Sequence, residues 1–199
     1  MLRAGKTIVL IGPAGSFSDY ATEESVFIKK LTDGNFKKRY VVSVAAVFKR
    51  VRPGNYGLVP VRNKIIGKIP GAEKFFKKGK FKIIRRFRMP VKFVLAAKKR
   101  VKLREISRIF ASPVARAQCK NFLHKNFQNV HFERAAFSTS ASYKKVVQLK
   151  LERARKWAAI GSEFGAKIYQ LTILAKNIQD DPHDWTEFVL FGIRQESSQ

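Results

Sequence analysis

The chain has 199 residues, of which 41 are Lys or Arg and 14 are Asp or Glu, for a formal net charge of +27. This length is enough for one domain or two small lobes with buried cores. A hydrophobic content of 45% excludes a disordered chain, and the single cysteine, Cys119, excludes an intrachain disulfide. We expect no membrane span, because no apolar run approaches the ~20 residues that one requires.

Alternating strand and helix patterns run along the chain and predict an α/β fold. Predicted strands cover residues 7–11, 40–44, 56–61, 81–87, 92–97, 106–111, 130–135, 156–161, 171–178 and 185–192. Predicted helices cover residues 45–51, 113–125, 138–151 and 163–169, and another begins at a cap provided by Ser16 or Ser18. Residues 35–39 are predicted to form a basic turn.

The segment from Tyr56 to Ile69 is the centre of the predicted fold. Its first half is a buried strand, and Asn63 follows where an open α/β sheet presents ligands, past the carboxyl end of a strand. Gly67 then allows a tight turn. The segment therefore predicts a polar site at one edge of a sheet.

Six segments, in order, resemble the motifs of the prephenate dehydratase catalytic domain. Residues 59–69 resemble its V-P-[IV]-E-N-S-x-x-G-x-[IV] segment, and residues 12–21 resemble its G-P-x-G-[TS]-[FY]-[ST]-x-x-A opening. The remaining matches are Ser112–Cys119 with S-H-P-Q-A-x-x-Q-C, Ser138–Ala141 with S-T-x-x-A, Ala158–Ser162 with A-A-I-A-S, and Ile178–Phe188 with I-Q-D…N-x-T-R-F.

The resemblance implies two lobes with mixed sheets flanked by helices, similar to type II periplasmic binding proteins, and a ligand cleft between the lobes. On this basis we expect lobe one at residues 1–84 plus 178–199 and lobe two at residues 85–177. We expect a single prephenate-dehydratase-like unit without the regulatory ACT domain that is usual in the family.

Several residues match positions that the family uses to bind or convert prephenate. The resemblance implies catalytic roles for Thr186, Asn63 and Ser138, and it implies contacts to a small dicarboxylate in the cleft from Ser16, Thr139, Phe188 and Arg62. No cofactor or metal is implied, and the three histidines lie far apart in the sequence.

Other family positions are replaced, which predicts that catalysis is lost and that the matching residues are vestigial. Glu187 stands where the family has Arg, and Arg62 where it has Glu. A carboxylate beside a dicarboxylate ligand would remove a charge-assisted contact and add repulsion. The exchanged signs also raise the hypothesis of an ion pair between Arg62 and Glu187. Ser112 and Val114 replace the family's His and Gln, and Lys64 replaces its Ser.

The charge is uneven along the chain. Residues 72–104 contain 14 basic residues and one acidic residue, whereas residues 163–199 contain three basic and six acidic residues. Dense cations interleaved with aromatics are typical of nucleic-acid contacts, although we expect the phenylalanines of this stretch to be core residues. The candidate nucleic-acid-binding residues are Lys74, Lys77, Lys78, Lys80, Lys82, Arg85, Arg86, Arg88, Lys98, Lys99, Arg100, Lys102 and Arg104.

Two functions therefore remain open at this stage. The first is a catalytically degenerate family member that binds RNA or another polyanion, within a large ribonucleoprotein such as a mitochondrial ribosome. The second is an active prephenate dehydratase of phenylalanine biosynthesis, or a related prephenate decarboxylase. We expect an intracellular location, in an organellar matrix or the cytoplasm.

Overall fold

The computed structural model describes residues 6–134 and 138–194. The strands are β1 (Lys6–Ile11), β2 (Phe36–Val41), β3 (Tyr56–Asn63), β4 (Gly67–Lys68), β5 (Phe81–Pro90), β6 (Phe93–Ala97), β7 (Arg108–Ala111), β8 (His131–Arg134), β9 (Trp157–Ser162), β10 (Thr172–Lys176) and β11 (Trp185–Ile193). The helices are α1 (Phe17–Glu24), α2 (Val26–Leu31), α3 (Val44–Arg50), α4 (Glu73–Lys77), α5 (Pro113–Gln118), α6 (Lys120–Asn126), α7 (Thr139–Gln148), α8 (Leu151–Ala154) and α9 (Glu163–Ile168).

The described residues divide into two compact units. Unit one comprises residues 6–12, 18–90 and 185–194, and unit two comprises residues 13–17, 91–134 and 138–184. The divisions fall after Pro90 and after Asp184, several residues beyond the predicted lobe boundaries at 84/85 and 177/178. The first difference follows from the pairing of β5 with β11, which continues to Pro90 opposite Trp185 and holds the whole of both strands in unit one.

Unit one is built on a mixed sheet with strand order β2-β1-β3-β11-β5, and β4 pairs with β3. The apolar residues of the strands alternate between the two faces, as side chains of a strand must. Val9, Val59 and Phe191 lie on the face that packs against Phe48 of α3 and Phe76 of α4. On the other face, the Arg85 guanidinium lies over the ring of Phe27 in α2.

Unit two is built on a second mixed sheet with strand order β10-β6-β9-β7-β8. One core cluster joins Ile109 of β7 and Ile160 of β9 to Cys119, and another joins Phe110 and Ala159 to Tyr143 of α7. Cys119 is fully buried, and burial raises the pKa of its thiol, so it is a core residue rather than a nucleophile. Two mixed sheets flanked by helices confirm the predicted fold class.

The structure differs from the sequence predictions in three local features. The predicted basic turn at residues 35–39 is part of β2, whose alternation the sequence hides because the inward-facing Lys38 is charged. The predicted helix 113–125 is interrupted at Cys119, between α5 and α6. Helix α4 was not predicted, because its sequence has no side-chain N-cap and is dense in lysine.

Two absences apply to the described residues. No helix among them is long and apolar enough to cross a membrane. Across the same ranges, 6–134 and 138–194, no group of three or more His, Cys, Asp or Glu side chains is placed to hold a metal ion.

Candidate functional site

Asn63 is the last residue of β3, and Thr186 lies directly opposite it on β11. The Asn63 Nδ2 group donates to Thr186 Oγ1 at 3.2 Å and to the Trp185 carbonyl at 3.0 Å. Its Oδ1 atom accepts from the backbone N–H groups of Ile65 and Ile66, at 3.0 and 2.9 Å. Asn63 thus shapes the turn into β4 and positions the Thr186 hydroxyl at the same time.

The Thr186 hydroxyl is buried, with 9% of the residue exposed. Within the described parts of the chain, no acceptor takes the hydrogen of this hydroxyl, whose oxygen already accepts from Asn63. The fixed N–H donor on one side directs the O–H bond elsewhere, because the accepting lone pair points at Asn63. This leaves a positioned proton donor.

Glu187 and Arg62 are also opposite each other, one residue along each strand from Thr186 and Asn63. Consecutive side chains of a strand point to opposite faces. Arg62 and Glu187 both line one pocket with Phe76, which places them on the face that carries α4. Val61 lines the same pocket because the β3–β11 register shifts by one residue between Glu187 and Phe188, so that Val61 and Arg62 lie on one side. Asn63 and Thr186 lie on the other face of the same two strands.

The ion pairs of Glu187 differ from the pairing that the exchanged signs suggest. Its carboxylate lies 3.1 Å from Arg86 and 3.9 Å from Arg88, both on the neighbouring strand β5. Among the described residues, Arg62 has no ion pair with Glu187 or with any other acid. The hypothesis of an Arg62–Glu187 pair is therefore wrong. Arg86 and Arg88 pair with the Glu187 carboxylate because their side chains lie on the same face of the sheet, on the adjacent strand β5.

The other family-equivalent residues of unit one and unit two have clear structural environments. Phe188, two residues after Thr186 on β11, is 1% exposed, and its ring stacks on Phe87 of β5. Ser138 caps α7 by accepting from Ala141 N–H at 3.2 Å, and Thr139 is the first residue of that helix. Ser16 is buried, in the turn between β1 and α1.

Unit two contains a buried polar pair that the sequence did not single out. Gln118 Nε2 donates to Asp184 Oδ2 at 3.1 Å, and the two residues are 6% and 2% exposed. Gln118 matches the family motif, and Asp184 replaces its Asn. An Asp carboxylate can accept from the glutamine amide as an Asn carbonyl could, so Asp at this position is compatible with the hydrogen bond.

The candidate nucleic-acid-binding residues are divided between the two units. Those from Lys74 to Arg88 lie on α4, β5 and the turn between them in unit one, and those from Lys98 to Arg104 lie in unit two. Lys98 is engaged in the fold, because its Nζ donates to the carbonyls of Val147 and Leu149 at the end of α7, both at 2.9 Å. These bonds cap the end of α7, and contact between Lys98 and a nucleic acid stays a prediction.

The cations of α4 and β5 are mostly exposed. Lys77, Lys78, Lys80 and Lys82 are all exposed at the end of α4 and the start of the edge strand β5. Phe75 and Phe81 pack into the unit-one core around Phe48, as the sequence predicts for the aromatics of this stretch. The charged side chains are thus exposed to solvent, whereas the phenyl rings pack in the core.

The two mixed sheets and the Asn63–Thr186 pair define an α/β protein with a buried, hydrogen-bonded hydroxyl where β3 and β11 meet. Comparison with known proteins identifies the family: the model for prephenate dehydratase matches residues 8–196, and the chain belongs to that family.

Individual relatives agree with this assignment. The chain is 31% identical over 188 residues to the prephenate dehydratase of Methanocaldococcus jannaschii, covering 94% of this chain and 65% of that protein. It is 29% identical to a bifunctional chorismate mutase/prephenate dehydratase of Buchnera aphidicola, covering 92% of this chain and 46% of the relative. The chain thus spans 65% and 46% of the length of these two relatives.

A solved structure shows the same fold. The prephenate dehydratase of Arthrobacter aurescens, determined in complex with L-Phe, superposes with a TM-score of 0.78 at 25% identity. The match covers 97% of this chain and 61% of that one. The resemblance that the sequence motifs indicate is confirmed over nearly the whole chain.

Proposed function

We propose that this chain acts on prephenate, releasing water and carbon dioxide to leave phenylpyruvate, with the Thr186 hydroxyl as proton donor. The observation that carries the proposal is the Asn63–Thr186 pair, in which Asn63 donates to the hydroxyl oxygen. No acceptor among residues 6–134 and 138–194 takes the hydrogen of this hydroxyl. The names of the relatives supply the substrate and the reaction.

The chemistry requires a proton at the hydroxyl that leaves the ring. As the carboxylate departs as carbon dioxide, the electrons of its C–C bond move into the ring, and the C–O bond breaks. Protonation by Thr186 turns the leaving group into water, and Asn63 stabilises the alkoxide that forms on Thr186 until solvent reprotonates it. A positioned general acid of this kind contributes about 10²–10⁴-fold to the rate.

The predicted loss of catalysis rests in large part on Glu187, and the strand geometry weakens that argument. The Glu187 carboxylate lies on the face away from the Thr186 hydroxyl and is neutralised by Arg86 and Arg88. Repulsion between this carboxylate and a ligand at Thr186 is therefore reduced, because the carboxylate points to the opposite face and because two arginines neutralise its charge.

Turnover of prephenate by the purified chain tests the proposal. Phenylpyruvate should form, Thr186→Ala should reduce kcat by about 10²-fold or more, and Thr186→Ser should retain most of the rate because it keeps the hydroxyl. Absence of turnover, or equal activity in Thr186→Ala and the unchanged chain, would reject it.

A second candidate function is favoured by a separate observation, the exposed lysines of α4 and β5. We propose as this alternative that the chain binds RNA or another polyanion in a large ribonucleoprotein, such as an organellar ribosome, without catalysis. Lys77, Lys78, Lys80 and Lys82 are exposed and close together in the sequence, on a protein with a formal charge of +27. Such density favours contact with phosphates through release of counterions.

A further inference from the structure

The face of unit one that carries α4 holds a pocket of about 390 Å³, formed by residues of β3, β4, α4, β5 and β11 and of the segment between β4 and α4. We call it the β4 pocket. Its charged lining is Arg62, Lys68, Glu73, Arg86 and Glu187, and its apolar lining includes Val61, Ile69, Ala72 and Phe76. This volume is within the range of small-molecule sites, which combine apolar walls with a few polar groups.

The charges of the β4 pocket do not cancel. Lys68 pairs with Glu73 at 2.6 Å, and Arg86 pairs with Glu187 at 3.1 Å. Arg62 is the remaining cation, and over residues 6–134 and 138–194 it has no acidic partner. Within the described part of the chain, the pocket therefore offers one guanidinium without an acidic partner, beside apolar walls.

These features specify a class of ligand. A guanidinium binds a carboxylate through two parallel N–H bonds. A monoanion loses less hydration free energy than a doubly charged phosphate when it enters a site with apolar walls, so these walls favour the monoanion. The ring of Phe76 and the side chains of Val61 and Ile69 add an apolar surface. We propose that the β4 pocket binds a small organic acid, with its carboxylate on Arg62 and its apolar body against Phe76.

This site is separate from the one proposed for prephenate. Arg62 and Glu187 point to the α4 face, whereas Asn63 and Thr186 point to the other face of the same strands. Binding in the β4 pocket therefore does not depend on the Thr186 hydroxyl, and Thr186→Ala should leave it unchanged. Failure of either proposal can thus be recognised without reference to the other.

Calorimetric titration of the full chain with phenylacetate tests the inference, with phenylacetamide as the uncharged probe and inorganic phosphate as the competitor. We expect saturable binding of phenylacetate, a loss of tenfold or more with phenylacetamide, and little competition from phosphate. Arg62→Gln should weaken phenylacetate binding by about tenfold or more, whereas Arg39→Gln, an exposed change on β2, should not.

A second variant addresses the apolar wall. Ile69→Phe should block the pocket and weaken phenylacetate binding while Arg62 keeps its charge. No saturable binding, equal losses in Arg62→Gln and Arg39→Gln, or equal affinity for phenylacetamide would each overturn the assignment. Displacement of phenylacetate by equimolar phosphate would overturn the choice of a carboxylate monoanion.

Discussion

Asn63 Nδ2 donates a hydrogen bond to Thr186 Oγ1 across 3.2 Å, and so joins two residues that are 123 positions apart in the sequence. The same asparagine accepts two backbone N–H groups through its Oδ1 atom. One buried amide therefore builds the β3–β4 turn and orients the hydroxyl that we propose as the proton donor.

The first prediction concerns this double role of Asn63. Asn63→Ala should lower the free energy of unfolding by about 1–3 kcal/mol, because two backbone donors at the turn lose their acceptor. It should also lower prephenate turnover, since Thr186 is no longer held. Urea unfolding and a phenylpyruvate assay measure the two effects. The exposed Asn35→Ala is the control and should change stability by less than about 0.5 kcal/mol. Unchanged stability in Asn63→Ala would contradict the turn role.

The second prediction concerns Glu187. Glu187→Gln removes the charge but keeps the shape, and should lower stability by at most about 1 kcal/mol, because Arg86 and Arg88 are more than half exposed. If the carboxylate lies away from the reacting groups, kcat should change by less than about threefold. Glu187→Arg should be more destabilising than Glu187→Gln, since it adds a cation beside two others. A tenfold loss of kcat in Glu187→Gln would place this residue in the reaction.

The sequence predicted much of this arrangement and missed parts of it for identifiable reasons. The motif around Asn63 and the Thr186 strand were recognised, because both combine an apolar strand with a polar end. The face of the sheet to which the Glu187 side chain points was not predicted. The motif gives the position of Glu187 in the chain, whereas the face depends on the pairing of β11 with β3, which places it opposite Arg62. The Lys98 helix cap was likewise hidden, because its partners are backbone carbonyls 49 and 51 residues away.

Strand β2 shows a related limit. Lys38 faces inward and pairs with Asp19 at 2.8 Å and Glu23 at 2.5 Å, and Tyr40 donates to the same Asp19 carboxylate at 2.9 Å. A cation at an inward position breaks the apolar alternation on which strand prediction depends. Its partners lie on α1, so nothing local to β2 in the sequence signals the burial.

The third prediction follows from this cluster and concerns alkaline stability. Burial raises the pKa of Tyr40 to about 12, assisted by the charge of Asp19. Burial alone would lower the pKa of Lys38, but its hydrogen bonds to Asp19 and Glu23 more than offset this and raise it. Both groups hold their protons more tightly when folded. The stability that Tyr40 contributes is complete below about pH 10 and is lost as the pH rises through about 12, whereas the contribution of Lys38 is lost at still higher pH.

Urea unfolding between about pH 8 and pH 11 measures this loss. Tyr40→Phe removes the phenol, so its stability should depend less steeply on pH above about pH 10, and one late phenolate transition should disappear from the ultraviolet absorbance titration. A Tyr40 phenolate that forms near pH 10 would contradict the hydrogen bond to Asp19.

The fourth prediction concerns Gly57, which faces Phe191 across the β3–β11 pair. A Cβ at this position would collide with the Phe191 ring, which is enclosed by Phe48, Phe76 and Phe81. Gly57→Ala should therefore destabilise unit one by about 1–3 kcal/mol through overpacking. Thermal unfolding checks this, and Gly192→Ala is the matched control, because its nearest neighbour is the flexible end of Ile84 at 3.4 Å. If adding Phe191→Leu to Gly57→Ala restores part of the lost stability, the clash is with the Phe191 ring. Equal losses of stability in Gly57→Ala and Gly192→Ala would contradict the prediction.

The fifth prediction separates a localised polyanion site from diffuse attraction to a highly basic protein. Changing Lys77, Lys78, Lys80 and Lys82 together to Gln keeps most of each side chain's length and removes four exposed charges. The fold should persist, because exposed charges contribute little to stability.

Affinity for RNA should fall, and the slope of log K against log salt should become shallower by roughly 0.7–0.9 for each phosphate that the variant no longer neutralises. Filter binding over a series of salt concentrations measures both quantities. The matched control changes Lys29, Lys30, Lys144 and Lys145, which are also exposed but lie on α2 and α7. If the two quadruple variants lose affinity to the same extent, the attraction is diffuse and α4–β5 is not a site. If RNA affinity falls only in the first variant, and the unchanged chain does not convert prephenate, the ribonucleoprotein function is favoured over the enzyme. Phosphate binding by these lysines does not require the Thr186 hydroxyl, so the two functions are tested separately.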